Sequence, residues 1–137
     1  MRRRVIERAG RRCEYCGLSQ TGQEAAFHLD HVVPVAAGRK TGEENLALAC
    51  VSCSLRKGAR LQAPDPQTGE AVVLFHPRRD PWHLHFRWHR VEVIGLTPTG
   101  RATVAALQMN RPLAWAIRKE ETFHRRHPPP GRQSEPG

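Results

Sequence analysis

The sequence predicts a small α+β protein: a strand, strand, helix unit on a cysteine base, followed by an extension of short strands and two helices. Two Cys-x-x-Cys pairs bracket much of the first half of the chain. Two short apolar runs separated by a polar loop lie between the pairs, and the second pair runs into good helix formers with Lys and Arg. A chain of 137 residues buries only a modest core, so a metal held by the cysteines would stabilise it.

The first half of the chain is predicted to form a helix, a hairpin and a second helix. Residues 2–9 are a short basic helix that leads to the first cysteine pair. Residues 27–33 are rich in β-branched and aromatic side chains, and residues 46–49 are apolar, so the two segments predict a hairpin with a long connection. Residues 51–60 follow as a helix, which places one cysteine pair before the first strand and the other at the helix start.

The second half is predicted to be an extension of strands and helices. Residues 61–70 contain two prolines and a Thr-Gly pair, which indicate a linker or turn rather than a helix or strand. The predicted strands cover residues 71–75, 82–88 and 90–95. Thr97 and Pro98 have the order of an N-cap and first helical position for a helix to about Met109, and a last helix covers 113–124.

The predicted strand at 82–88 alternates between apolar and polar side chains. Its apolar face, which we expect in the core, holds Trp82, Leu84, Phe86 and Trp88. Its other face continues to His89 and holds His83, His85, Arg87 and His89, a solvated face or a metal or nucleic-acid site. The chain then divides into a core over 1–60, an extension packed on or beside it over 61–126, and a disordered tail over 127–137.

The charge of the chain favours a polyanionic partner. Lys and Arg total 22 against 13 acids, a formal net charge of +9. Charge alone does not separate nucleic acid from an anionic membrane, but the sequence has neither a long apolar run nor a signal-peptide core. We therefore expect a cytoplasmic protein, from a bacterium and associated at most with its nucleoid, that needs no membrane and no organic cofactor.

The four cysteines predict a structural metal site. In a reducing compartment, Cys13, Cys16, Cys50 and Cys53 are more plausible as thiolate ligands than as disulfides. Two such pairs give Zn²⁺ four sulfurs and leave no open position, so this ion would hold the fold rather than perform chemistry. The alternative is four ordinary buried or redox cysteines.

An Asp-His pair and an isolated Asn predict a different chemistry between the cysteine pairs. Phosphodiester hydrolysis needs a base that deprotonates water and a cation that neutralises charge on the phosphate. Histidine titrates near neutral pH, so His31 is a candidate base, and Asp30 is a hard oxygen ligand for Mg²⁺ or Mn²⁺. Neighbours on a strand point to opposite faces, so both reach one phosphate only if the strand ends there.

The chain resembles the HNH endonuclease family over residues 11–58. The resemblance rests on Cys13-x2-Cys16, Asp30-His31-x2-Pro34, Asn45-Leu46, and Cys50-x2-Cys53 running into Ser54-Leu55-Arg56-Lys57. It implies a ββα-metal fold and a divalent-metal-dependent DNA nuclease that leaves 5′-phosphate and 3′-hydroxyl ends. It also implies that His31 is the general base, that Asp30 is the ion ligand and that Asn45 bonds across the loop to hold His31. Asn45 is otherwise an ordinary turn residue.

The sequence departs from the family pattern at Ser54, where the family usually has His or Asn as a further ligand of the catalytic ion. A neutral hydroxyl is a weaker ligand, so Ser54 is expected to bind the ion weakly or through water. His28 lies two residues before Asp30, shares its strand face and could coordinate the ion or hydrogen-bond the phosphate. A half-buried strand histidine is the alternative.

Basic residues near the site are candidates for DNA contacts. Arg56 and Lys57 follow the cage on the helix, where they could hold phosphates beside the cut, and Arg3 and Arg4 belong to the basic first helix. Surface helices also carry such residues for solubility. A second hypothesis for the whole chain is a non-catalytic, zinc-stabilised nucleic-acid-binding module in which Ser54 marks loss of the catalytic ion.

Overall fold

The computed structural model describes residues 1–34 and 42–131, which form helices and three two-stranded antiparallel sheets. This confirms the predicted α+β class. The helices are α1 (Arg2–Arg8), α2 (Val51–Lys57), α3 (Trp82–His85), α4 (Pro98–Ala106) and α5 (Pro112–Phe123). The strands are β1 (His28–His31), β2 (Leu46–Ala49), β3 (Gln62–Pro64), β4 (Ala71–Val73), β5 (Phe86–His89) and β6 (Glu92–Gly95). None of the helices in these two ranges is long and apolar enough to cross a membrane.

The β1–β2 hairpin agrees with its prediction and positions the Asp-His pair. The strands are antiparallel, with Asp30 opposite Ala47 and His31 opposite Leu46. Every residue of β2 is buried, because α1 and α2 both pack against this strand. Arg8 of α1 also donates from Nη2 to the Leu46 carbonyl at 2.7 Å. The hairpin is therefore held from both sides, although residues 35–41 of its connection lie outside the described residues.

Helix α2 starts directly after β2 at the second cysteine pair. Cys50 is its N-cap, and the sulfur accepts a hydrogen bond from the Cys53 N–H at 3.4 Å. The helix ends at Lys57, three residues before the predicted end, because Gly58 takes φ 53°, a left-handed conformation that glycine adopts without steric cost. This short helix packs against both strands of the β1–β2 hairpin.

The prediction of a linker or turn over residues 61–70 is correct for the turn, but the segment also contains strand β3, so the exclusion of a regular element is wrong. Strand β3 pairs antiparallel with β4, with Ala63 opposite Val72. The buried Asp65 holds the turn by accepting from the Gln67 N–H at 2.9 Å and from the Arg101 side chain at 2.8 and 3.0 Å. The prolines and the Thr-Gly pair therefore mark a tight turn here. The bidentate ion pair between Asp65 and Arg101 joins this turn to α4.

The predicted strand at 82–88 is helical in its first half. Trp82–His85 form α3, and the strand begins at Phe86. The Trp82 indole donates to the Tyr15 carbonyl at 2.8 Å, which draws this residue into the core next to Phe86, four positions later. The helical turn leaves Leu84 57% exposed, so one member of the predicted apolar face is wrong.

The opposite face is mainly solvated in the structure. His83, Arg87 and His89 are exposed, and His85 is half-buried with its Nδ1 at 2.6 Å from the Thr97 hydroxyl. Thr97 is also the predicted N-cap of α4 and accepts from the Gly100 N–H at 3.0 Å. These histidines are not a metal cluster among the described side chains.

The two halves of the chain share one hydrophobic core. The cysteines, Tyr15 and Leu48 from the first half pack in the same cluster as Phe75, Trp88 and other residues of the second half. The hydrophobic core therefore spans the predicted boundary at residue 60, and the division into a nuclease core and an extension stays a prediction. Residues 127–131 of the predicted tail pack on this body: His127 lies edge-on to Trp88 at 4.6 Å, and Pro129 is buried. Residues 132–137 lie outside the described residues.

Candidate metal centre and nuclease site

The four cysteines form one buried cluster. Their sulfurs all lie within 4.8 Å of one another, and none of the four residues is more than 8% exposed. Cys13 and Cys16 lie in the segment between α1 and β1, whereas Cys50 and Cys53 lie at the start of α2. In each pair the backbone N–H of the later cysteine donates to the sulfur of the earlier one at 3.4 Å. The folding of the hairpin thus brings two local pairs to one centre.

The chemistry of this cluster suits a zinc ion. Burial raises the pKa of Cys13, while a hydrogen bond with Cys13 lowers the pKa of Cys16, so the neighbouring thiols share negative charge rather than all ionising. A divalent cation that replaces the thiol protons neutralises the repulsion between the thiolates. Four sulfurs also complete the tetrahedral ligand set that structural zinc prefers. The residues fit the predicted ion.

Glu14 supports the cage in a way that the sequence did not reveal. It exchanges backbone and side-chain hydrogen bonds with Leu48 of β2 at 2.8 and 2.9 Å. Its carboxylate also forms a buried ion pair with Arg78 from the extension. The only signal was an acidic residue inside a cysteine pair, which is too common to predict such a role.

Lys57 is the main correction to the predicted site. It was expected to contact phosphates from the helix surface, but it is 2% exposed. Its Nζ lies 3.6 Å from Asp30 Oδ2 and donates to the His31 carbonyl at 3.1 Å. Burial raises the pKa of Asp30, and Lys57 opposes that rise. Lys57 is therefore an internal cation that joins α2 to the last two residues of β1.

Replacing Lys57 with Met should destabilise the protein by about 1–3 kcal/mol near pH 8, because the Asp30 carboxylate loses its cation. This loss is smaller than the loss expected when a fully buried ion pair is broken, because the Asp30 side chain is 16% exposed. The pKa of Asp30 should rise further in the variant. Asp30 of the folded variant then holds a proton that the unfolded chain releases. The difference in free energy of unfolding between wild type and the variant should therefore shrink as the pH falls from 8 to 5.5. Urea unfolding at both pH values measures this, with the exposed Lys119→Met as control. Equal deficits at both values would contradict the assignment.

His28 and Ser54 lie together on the helix side of the hairpin. His28 Nδ1 is 2.9 Å from the Ser54 hydroxyl, and His28 is exposed at the start of β1. The structure therefore brings together the two residues singled out as supplementary ion ligands. Their role at an ion stays a prediction.

Asn45 clamps the chain immediately after the Asp-His pair. The side chain is buried, its Oδ1 accepts from the Val33 N–H at 2.9 Å, and its Nδ2 donates to the Val33 carbonyl at 2.8 Å. The backbone of Asn45 also accepts from the Val32 N–H at 3.0 Å. The two ends of the long connection are thus joined two residues beyond His31, and the role of Asn45 in holding His31 stays a prediction.

The remaining basic candidates differ in their availability. Arg3 is exposed, and Arg4 is exposed but pairs with Glu43 at 2.6 Å. Arg56 is half-buried on α2 and lines a surface hollow with Ser52 and Arg111. None of these positions tests a DNA contact, so that role stays a prediction for all three.

The surroundings of Asp30 fit one catalytic divalent ion held by few protein ligands. Asp30 Oδ2 is buried without a hydrogen bond from any described residue, although Lys57 pairs with it. In the described ranges, the cysteine cluster is the one group of three or more His, Cys, Asp or Glu side chains close enough to share an ion. Mg²⁺ usually keeps several waters and needs only one or two carboxylates plus substrate phosphates. Asp30, supplemented by Ser54 or His28, would provide such a site.

A hairpin and a helix share a four-cysteine cluster that suits zinc, and Asp-His lies at the end of the first strand, so the site belongs to a small α+β protein with a candidate zinc cage. Comparison with protein families agrees, because residues 13–60 match the HNH endonuclease family. This match covers less than half of the chain and supports a nuclease-family function for that part. Comparisons with curated proteins and with solved structures gave no match.

Proposed function

We propose that this protein is a metal-dependent endonuclease that hydrolyses phosphodiester bonds in DNA, by cleavage or nicking. The observation that carries the proposal is the arrangement at the end of β1, where Asp30 and His31 are adjacent and the buried Lys57 contacts both. The net charge of +9 suits a polyanionic substrate. Reduced thiolates and DNA occur together in the bacterial cytoplasm, where we place the reaction.

Each residue of the site has a distinct task in this proposal. His31 takes a proton from the attacking water, and Asp30 holds a divalent ion, Mg²⁺ or Mn²⁺. That ion supplies neutralisation of the charge on the phosphate. Lys57 keeps Asp30 ionised in its partly buried position and restrains the His31 backbone, while Asn45 fixes the chain beyond His31. The cage supports this geometry without taking part in the chemistry.

Incubation of the purified protein with supercoiled plasmid tests the proposal. With Mg²⁺ or Mn²⁺ we expect nicked or linear DNA, and with neither ion added we expect none, because the zinc cage has no open position for the reaction. The cut ends should carry 5′-phosphates that a ligase can reseal. Absence of cutting with either ion on plasmid, linear duplex and single strands would overturn the proposal.

Replacing Asn45 with Ala should lower the cleavage rate about 10–100-fold, since the loop beyond His31 loses both clamp bonds and a small misplacement of a catalytic group is costly. Asn110 offers a matched control: its amide bonds the N–H and C=O of Val93 at 2.9 and 2.8 Å. Both substitutions should cost about 1–2 kcal/mol in urea unfolding. Only Asn45→Ala should slow cleavage, and an equal loss of activity in both variants would contradict the positioning role.

A non-catalytic, zinc-stabilised DNA-binding module is the second candidate. One observation favours it: the hydroxyl of Ser54 stands at the helix position of the ion site and contacts His28, so the ion has one strong protein ligand in Asp30. A Ser54→His variant distinguishes the two functions. Gain of cleavage in an inactive parent would show that this position limits ion binding, whereas retained DNA binding without cleavage in both proteins would favour the module.

A further inference from the structure

A hollow beside the Asp-His pair is shared by the HNH domain and the extension. Val32 and Val33, which directly follow His31, form one wall of it, and Leu61 and Val73 from the β3–β4 hairpin form another. The stem of Lys57 also lines it, on the helix that contacts His31. The hollow therefore adjoins the candidate nuclease site through Val32, which follows His31, and through Lys57, which contacts both Asp30 and His31.

The lining of the hollow combines exposed apolar side chains with exposed arginines. Val73 is 57% exposed and Leu61 42% exposed, so apolar surface faces solvent here. Arg60 and Arg79 are exposed members of the same lining, and no described acidic side chain joins them. The Arg60 guanidinium donates to the carbonyls of Arg56 and Ala106, which orients it without neutralising its charge.

The size of the hollow suits one nucleobase better than a lone phosphate. Its volume is about 160 Å³. At about 30 Å³ of liquid volume per water, that is room for roughly five water molecules, a space that one flat aromatic ring can occupy. The faces of a base gain from apolar contact, while its phosphate gains from guanidinium groups, so both parts of a nucleotide have a partner here.

We propose that this hollow binds an unpaired nucleotide of the DNA strand next to the phosphate that is cut. The inference rests on the proposed function and deepens it, because a base that is stacked and paired in a duplex cannot enter such a hollow. Single-stranded or locally opened DNA is then the preferred substrate. The extension supplies Leu61, Val73 and Arg79, so it sets the form of DNA that the HNH domain accepts.

Binding of fluorescent oligonucleotides in a buffer that contains neither Mg²⁺ nor Mn²⁺ and no chelator tests this without cleavage and leaves the cysteine cage intact. Wild type should bind a short single-stranded oligonucleotide more tightly than the same sequence as a duplex. Val73→Asp should weaken single-strand binding about tenfold, since it removes base contact and adds repulsion, and should change duplex binding far less. Leu84→Asp is the matched control, because Leu84 is also 57% exposed but lies outside the hollow.

A second pair of variants keeps the test independent of strand β4. Arg79→Gln should weaken single-strand binding severalfold, whereas Arg87→Gln, at an exposed position of β5 outside the hollow, should not. Circular dichroism confirms that all four variants are folded. Equal single-strand affinities for Val73→Asp and Leu84→Asp would overturn the subsite even if wild type cleaves plasmid. Selective loss of binding in a protein that cleaves nothing would support the subsite and overturn the catalytic proposal.

Discussion

Replacing His31 with Ala is expected to lower the rate of DNA cleavage by about 10²–10⁴-fold, the usual contribution of a positioned general base. The side chain lies outside the four-cysteine cluster. The backbone carbonyl that accepts from Lys57 also remains in the variant. Zinc content and the urea midpoint should therefore change little. Initial rates on supercoiled plasmid with saturating Mg²⁺ or Mn²⁺ measure the effect.

The exposed His89 on β5 provides the control for this experiment. His89→Ala removes an imidazole of the same size away from the site and should cleave at the wild-type rate. If His31→Ala also cleaves at the wild-type rate, another group activates the water and the role given to His31 is wrong. Parallel losses in both variants would point to DNA attraction by positive charge rather than to base catalysis.

Replacing Cys50 with Ser is expected to unfold the protein. Structural zinc in small cages contributes about 10–16 kcal/mol, whereas a whole domain is usually stable by only about 5–15 kcal/mol. Cys50 is both a cage member and the N-cap of α2, so the loss combines an ion ligand with the start of the helix that carries Lys57. Far-ultraviolet circular dichroism and zinc analysis should show lost helix and less than half an equivalent of zinc.

Chelation of the wild-type protein is the matched experiment, because it removes the ion and leaves every side chain in place. A strong chelator should unfold wild type, and added zinc should restore it, whereas Cys50→Ser should not recover. A folded, zinc-free wild-type protein after chelation would contradict the structural role of the cage. Cys13→Ser should behave like Cys50→Ser, because each pair supplies half of the ligands.

The elements of the first half were predictable because their signals are local. The cysteine pairs, the two strand segments and the start of α2 each depend on residues close in the chain, and the register of β1 with β2 follows once the hairpin closes. The order of these elements also led from sequence to the HNH family, which the match over residues 13–60 confirms.

Errors in the second half arose where distant contacts decide local conformation. The alternation at 82–88 is compatible with a strand, but the bond from the Trp82 indole to the Tyr15 carbonyl favours a helical turn. The segment 61–70 has the composition of a linker or turn, but it also contains strand β3, and Arg101 from α4 anchors Asp65 in the turn that follows. Neither partner is visible within the local sequence window.

The sequence by itself determined the ligands of the cage, the Asp-His pair and the element order, because residue type and short spacing carry that information. Only the tertiary structure decided what Lys57 does: a lysine beside an arginine on a helix suggests a surface charge, but the packing of α2 under the hairpin buries it against Asp30. Tertiary packing also decided that the two halves share a core and enclose a hollow beside His31. The physical reason is that burial and ion pairing depend on which surfaces meet, and those surfaces come from residues far apart in the chain.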